Sequence, residues 1–565
     1  MSLISSIQMS SNTLRAQQIG LQVAGQNIAN ANTPGYIREE VIFKPAPTQR
    51  VGGLLLGLGV QVQAVIQKID KFLEERLRGA TSDRRSAEIQ QETYLQLEGT
   101  IGELTDTDLS TGLSKFSATI QDVLSQPESI AARNLAVLEG ETLAQDVSRL
   151  SQRVTSLRKD INQRIANSAL DINRLVEEIR TLNIQIANTE GGDASPSDAV
   201  GLRDQRQLSL TNLATLINID VKEQLSGGVN IFVGGDFLVL EGVSREVEAS
   251  LSSDRGLTIA TIQLKVTDSP LAISSGEVAG LVAGRDNILG GFLDELDDFA
   301  RTLTFEFNKI FSSGQGLSGY QTSTSEFAVS SASGALDSVN LPFTPINGSF
   351  QVKILNKQTG TTQTTDFFVK LNGLSDDTTL TDLATQLNSL SALSASVSTA
   401  GNLTITSNSP EQDFSFANDT SGLLAALGIN SFFTGTAAAD MAVSSIFRDD
   451  PGKFATSDEG IGTGTGNAIN MVNLLDGDTK TAGGETITGR YERLVGEVTQ
   501  GSTVATAVSN GAEVFESTLL GQKLGVSGVS IDEEVVRMMA FQRTYQAAAR
   551  YIGVISDLLD ILVNL

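Results

Sequence analysis

Both ends of this 565-residue chain carry a long run of residues at the 3-4 spacing of an α-helical seam. Leu3, Ile7, Ser10, Leu14, Gln17, Leu21, Ala24 and Ile28 step alternately by four and three. Met538, Phe541, Tyr545, Ala548, Ile552, Ile555, Leu559 and Leu562 do the same at the other end. Positions so spaced line one side of a helix, and a sustained seam is the pattern of a coiled-coil surface. Chain ends are normally where order fades, and an isolated helix is marginal in water. The expectation is that both ends are mobile in the free chain and order only against each other, in an assembly.

Composition removes most chemistry. Sixty-six acidic against 40 basic residues give a net charge of −26, a field that repels a phosphate backbone, so nucleic acid is not an expected partner. Histidine, cysteine and tryptophan are absent. Without cysteine there is no thiolate nucleophile, disulfide framework or thiolate metal site. Without histidine the usual general base and commonest neutral metal ligand are missing. No catalytic, cofactor-binding or metal residues are expected, and the chain is not read as an enzyme.

Local motifs do not change that. Gly460 to Asn467 (GIGTGTGN) lacks a preceding strand and the third glycine of a dinucleotide loop. Asp476-Gly477-Asp478 lacks the later bidentate glutamate of a calcium loop and reads as a turn. Asp294, Asp297 and Asp298 read as the solvated face of a helix. Asp532, Glu533 and Glu534 sit at a helix start behind Ser530, where capping and the helix dipole account for them. A carboxylate-based glycosidase would need two converging acids, and no pair suggests them.

The first twenty residues are amphipathic, with Arg15 in their midst, unlike the apolar core of a cleaved signal. Val51 to Val60 is too short and glycine-rich to span a bilayer. The expectation is a cytoplasmic chain, or one exported without a cleaved leader and not inserted in a membrane.

The first helix is expected over Leu3 to Asn30, ending at Asn32-Thr33-Pro34-Gly35, where Pro34 disfavours further helix and Gly35 permits a turn. Extended segments follow at Tyr36 to Phe43 and Val60 to Ile66, then a helix around Asp70 to Arg78. From Ser82 to Thr189 the chain reads as long helices broken near Gln126-Pro127. Their heptad spacing is interrupted by an 11-residue stutter between Ile161 and Ile172. A shorter helix near Asp204 to Ile217 precedes a hairpin at NIFVGGDFLVLEG. Another heptad helix carries Leu289, Phe292, Leu296, Phe299, Leu303 and Ile310.

Near Tyr320 the composition turns to Ser, Thr and Asn. Alternation at Phe350, Val352 and Ile354 and the Gly401-Asn402 turn predict strands. The fold class is therefore α+β and multidomain. Residues 1–43 with 527–565 are expected to form a terminal helical coiled-coil tube domain. Residues 44–319 with 440–526 read as a rod-like long-helix domain with a β-hairpin region, and 320–439 as an inserted, mostly-β outer domain.

The segment LQVAGQNIANANTPGYIREEV, from Leu21, resembles the N-terminal signature of the axial proteins of the bacterial flagellum. SGVSIDEEVVRMMAFQRTYQAAARYIGVISDLLDIL, from Ser527, resembles their paired C-terminal signature. Interior segments (Leu54 to Arg78, GLRDQRQ from Gly201, the NIFVGGDF hairpin and LAALGINSFFTG from Leu424) are similar to the hook-associated members that form the hook–filament junction. Rod and hook proteins share the ends but lack the long helices after the first motif, so a hook or distal-rod protein is the alternative. Ile37-Arg38-Glu39 departs from the Ser-Arg-Gln common after the tyrosine.

The resemblance implies a structural adaptor, secreted by flagellar type III export without a cleaved leader and extracellular at the hook–filament junction. It implies a homo-oligomeric ring in the flagellar axis, set between hook protein and the second junction protein, hook-associated protein 3. An export chaperone is expected on the C-terminal helix before export. The residues expected to carry function are assembly positions. They are Leu3, Ile7, Leu14, Leu21 and Ile28, the turn residues Asn30, Pro34, Gly35 and Tyr36, and Met538, Phe541, Tyr545, Ile552, Ile555, Leu559 and Leu562.

Overall fold

A computed structural model describes residues 3–51, 53–102, 108–191, 197–477 and 484–564. The fold is α+β, with long terminal helices and several small sheets. The chain divides into two compact units, one made of Met1–Thr93, Lys159–Asp286 and Thr503–Leu565, the other of Tyr94–Arg158 and Asn287–Ser502.

In the first unit the N-terminal helix, Leu3–Ala29, leads into strand Glu39–Pro45, which pairs antiparallel with Val60–Gln67. Between them lies a hairpin of Thr48–Val51 and Leu54–Gly57. The helix expected to end near Arg78 instead runs over Lys71–Ile101. Gly79 does not break it, because burial of Leu73, Leu77 and Ala80 against Leu519 outweighs the ~1 kcal/mol a mid-helix glycine costs. Leu519 belongs to helix Ile487–Ser527, a 41-residue element. Thr81 Oγ1 donates to Glu516 at 2.6 Å and Lys523 pairs with Glu74 at 2.8 Å, holding these helices together. Helix Val200–Leu216 then precedes a four-stranded antiparallel sheet from Asp220–Glu223 to Val243–Ser244. The NIFVGGDF hairpin lies in that sheet, turning at Gly234 (φ +56°) and Gly235 (φ +98°), where left-handed backbone favours glycine.

Helix Ile130–Glu190 is continuous, and the break before it falls at Gln126, as the proline after it requires. Ile165 and Ala169 are buried inside the 11-residue stutter, so the seam steps 161, 165, 169, 172 without interruption.

The second unit is built on an aromatic core. Phe116, Phe307, Phe311, Phe432 and Phe433 stack or meet edge-on at centroid separations of 4.8–6.0 Å. Gly140 makes room for this, since a Cβ there would stand 2.6 Å from the Phe432 ring. The seam of helix Gly290–Phe311 ends on Phe307 and Phe311, with Ile310 only half-buried. Asp297 is also less solvated than the sequence suggests, since it accepts from the Ala438 amide at 2.8 Å. Arg133 is fully buried; its guanidinium donates to the carbonyls of Pro127 and Phe454 and to Thr456 Oγ1, and burial lowers its pKa to about 10.

Between Tyr320 and Gly435 lie two three-stranded sheets. Strand Gly348–Asn356 buries Phe350, Val352 and Ile354 as the alternation predicts, and Leu393–Val397 pairs with Leu403–Ser407 across the expected turn. Helix Leu380–Asn388, capped reciprocally by Thr379 and Asp382, packs into the same core. Asp476 closes helix Gly466–Leu475 and accepts from Ser117 and Gln121, consistent with a turn, while Asp478 lies outside the described residues.

Candidate assembly interface

The N-terminal helix packs against the C-terminal helix, Ile531–Val563, within the first unit. Apart from Val23 the residues it buries are small or polar, Ser6, Ser10, Gln17, Gly20, Ala24 and Asn27 among them. Small groups there admit large ones from the other side. A Cβ on Gly20 would lie 3.1 Å from the Phe541 ring, and Phe43 closes on that ring edge-on at 6.0 Å.

Of the positions expected to form the seam, Leu3, Ile7, Leu14, Leu21 and Ile28 are half-buried. In three places the residue before a seam member, Ser6, Gly20 or Asn27, takes the buried place. Met538, Phe541, Ile552 and Leu559 are half-buried, Ile555 is 3 % exposed and Tyr545 is exposed. The Leu562 side chain lies outside the described residues. Beside that seam Tyr551, Val554, Leu558 and Ile561 form a second apolar stripe that remains exposed.

The turn after the helix is built as its residues require. Tyr36 N donates to Thr33 O at 3.2 Å across Pro34 and Gly35, with Gly35 at φ +81°. Asn30 Nδ2 donates to Gln26 O at 3.0 Å, and its Oδ1 accepts from Thr33 Oγ1 at 3.2 Å. Pro34 and Gly35 are exposed, whereas Tyr36 reaches back so that its hydroxyl donates to Asn27 Oδ1 at 2.8 Å.

That turn delivers a buried polar clasp between the two ends of the chain. Asn27 Oδ1 also accepts from Glu39 N at 3.0 Å, and its Nδ2 donates to Glu39 O at 3.0 Å and Glu534 Oε2 at 3.2 Å. A buried amide satisfied on both sides is rigid and specific. Arg38 Nε donates to Glu534 Oε1 at 2.8 Å, its Nη2 to Glu533 Oε2 at 3.1 Å, and its backbone N–H to Ser527 O at 3.0 Å. Glu534 is 2 % exposed. Ser530 caps the C-terminal helix by accepting from Glu533 N. Helix capping therefore does not exhaust the roles of Glu533 and Glu534, because both bind Arg38.

Burial alone would lower the Arg38 pKa, but the bonds to Glu534 and Glu533 outweigh it and raise it. Burial, then the negative charge of Glu39, raises the Tyr36 hydroxyl, and burial raises Glu39 itself. Asp204 stands against the same turn, accepting from Gln67 Nε2 at 2.6 Å and from the Ile37 amide. Burial, with a smaller contribution from Glu39, pushes it up to about 7.

Sequence reasoning found Asn30, Pro34, Gly35 and Tyr36 in this region but not Asn27, Arg38 and Glu534. A polar residue at the inner end of an apolar helix and a lone arginine after the turn were the available signals.

Among the described residues no helix is long and apolar enough to cross a membrane, and no group of three or more His, Cys, Asp or Glu could hold a metal. Residues 94–327 match the family described as the flagellar hook-associated protein FlgK helical domain. Residues 7–36 match the flagella basal body rod protein family, and 521–565 the flagellar basal body rod FlgEFG protein C-terminal family. The chain is 24% identical over 564 residues to flagellar hook-associated protein 1 of Salmonella typhimurium, covering 98% of each. It is 25% identical over 565 residues to the protein of that name from Bacillus subtilis, covering 98% of this chain and 96% of that one. The structure of the flagellar hook junction protein FlgK from Burkholderia pseudomallei has the same fold, with a TM-score of 0.51 at 17% identity over 80% of this chain and 100% of that one. The rod-type families thus meet the chain at its clasped ends and the hook-associated family meets it between them, and along nearly its whole length the chain is similar to flagellar hook-associated protein 1.

Proposed function

We propose that this structural, non-enzymatic component of the bacterial flagellum joins hook to filament through its clasped terminal helices. The observation that carries the reading is the buried Arg38–Glu534–Asn27 network, which ties the two ends into one element while leaving the Tyr551–Ile561 stripe uncovered. An apolar stripe on a charged, acidic protein is a surface for packing against neighbours. In this reading the neighbours are copies of the same chain arranged as a ring in the flagellar axis, with hook protein on one side and the second junction protein on the other. The terminal helices line the inner tube as a coiled coil, the long-helix region lies outside them, and residues 320–439 are outermost. Before assembly the same C-terminal stripe is the surface an export chaperone covers, and the chain leaves the cell through the flagellar export apparatus without a cleaved leader.

A hook or distal-rod role, the alternative, finds less support. The rod-type families match only residues 7–36 and 521–565, whereas the hook-associated helical domain takes 94–327. The test is a chain lacking its last 25 residues, expressed in cells without their own copy. Cells that excrete unpolymerised filament protein and keep normal hooks uphold the junction reading. Filaments of normal length would overturn it.

A further inference from the structure

A cavity of about 260 Å³ in the first unit lies among helices Lys71–Ile101 and Val200–Leu216 and the sheet that follows them. Ile37, Ile69, Leu210 and Val229 give it apolar walls, and Arg78, Arg203 and Arg206 give it cations. Two of these arginines are occupied. Arg203 holds Glu190 and Glu223, each at 2.7 Å, and Arg206 donates to Asn183 Oδ1 at 3.0 Å and Gly227 O at 2.7 Å. Arg78 is not: it is 8 % exposed, lines the cavity, and makes no hydrogen bond or ion pair with any described residue. Glu74, Glu75 and Asp220 attract it through space but none bonds it: Glu74 is held by Lys523 and accepts from Gln207, Asp220 is held by Lys222, and Glu75 is exposed, while Glu223 is held by Lys71 and Arg203.

A guanidinium taken from water with no carboxylate bonded to it is costly, and its fork matches one carboxylate through two parallel bonds. We propose that this cavity binds an aliphatic carboxylate, gripped bidentately by Arg78, with its stem against Ile37, Ile69, Leu210 and Val229. Glu74, Glu75 and Glu223 line the same space, and their field disfavours a dianion such as phosphate. The volume falls below the roughly 300–1,000 Å³ of small-molecule sites, which suits a group the size of one side chain. Such a carboxylate comes either from an acidic side chain of a neighbouring copy or from a free short-chain acid.

The test uses the full chain with sodium isovalerate, its neutral isostere isovaleramide, and inorganic phosphate, followed by calorimetric titration and thermal unfolding. Isovalerate is expected to bind and raise the unfolding temperature, while the amide and phosphate at equal concentration do not. R78Q is expected to lose that response and, without ligand, to unfold at the same or a higher temperature than the parent, because a buried charge whose desolvation outweighs the attraction of its neighbours has been removed. R78K, which keeps the charge but not the fork, should bind isovalerate more weakly. No response to isovalerate, an equal response to the amide, a response surviving in R78Q, or a ligand-free R78Q less stable than the parent would each overturn the proposal. Light scattering at high protein concentration separates the sources. Isovalerate that disperses the parent's self-association identifies a neighbour's side chain, and binding without effect on association identifies a free acid.

Discussion

The Arg38 guanidinium grips the Glu534 carboxylate across 496 positions of sequence, with Nε 2.8 Å and Nη2 2.6 Å from the same oxygen. Both side chains are buried, at 5% and 2% exposure, so removing either takes the main partner from a charge that water barely reaches, leaving Arg38 only Glu533 or Glu534 only the Asn27 amide. R38A and E534A are each expected to cost about 3–5 kcal/mol, while R38M/E534M together should cost far less than the sum. Denaturant unfolding of the three variants checks this, and strictly additive losses would contradict the pairing.

The Gly20–Phe541 contact sets how closely the terminal helices approach. G20A is expected to be nearly neutral, since a helix-propensity gain of up to about 1 kcal/mol offsets the small retreat asked of the Phe541 ring. G20L has nowhere to go and should cost roughly 1–3 kcal/mol. Thermal melts of the two variants decide the point, and a G20L chain as stable as the parent would show that the helices are not packed in this register.

Asp204 gives the first unit a pH dependence of definite sign. Its folded pKa is raised from 3.8 to about 7, so between those values the native state keeps a proton that the unfolded chain has released. Stability from this group is present below about pH 4, falls as pH rises, and is fully lost above about 7. D204N should flatten that slope and be more stable than the parent at pH 8, on the order of a few kcal/mol. Urea titrations at pH 5 and pH 8 measure it; an identical slope in D204N would refute the assignment.

The exposed stripe separates folding from assembly. L558E/I561E changes side chains that are 48% and 59% exposed, so the unfolding free energy should move by no more than about 0.5 kcal/mol. The same variant should fail to assemble at the hook tip, scored by filament protein lost to the medium. Amide exchange supplies a companion measurement: residues after Ser556 should exchange rapidly in the isolated chain and become protected on assembly.

Legibility followed the range of the interaction. The terminal helices, the break at Gln126, the Gly234-Gly235 turn and the strand at Phe350 were readable because periodicity, proline and glycine act within a few residues of themselves. The extension of the helix past Arg78 was not, because Ala80 and Thr81 are held there by Leu519 and Glu516, far along the chain. Asp297 looked solvated until the Ala438 amide came to it.

The interface shows the same division. The 3-4 spacing by itself determined that both ends are amphipathic helices, and on the C-terminal one it picked out Ile555, the most buried of its seam, along with the exposed Tyr545. It determined the Pro34-Gly35 turn for the same reason, since φ restrictions are local. Only the tertiary structure decided that the N-terminal helix buries Ser6, Gly20 and Asn27 in place of the leucines and isoleucines beside them. It alone decided that Glu534 belongs to Arg38 and that Arg78 faces a cavity without a partner. Helical period specifies a stripe but not its rotation against a second helix, and a charge finds or misses its partner only when distant segments are brought into contact.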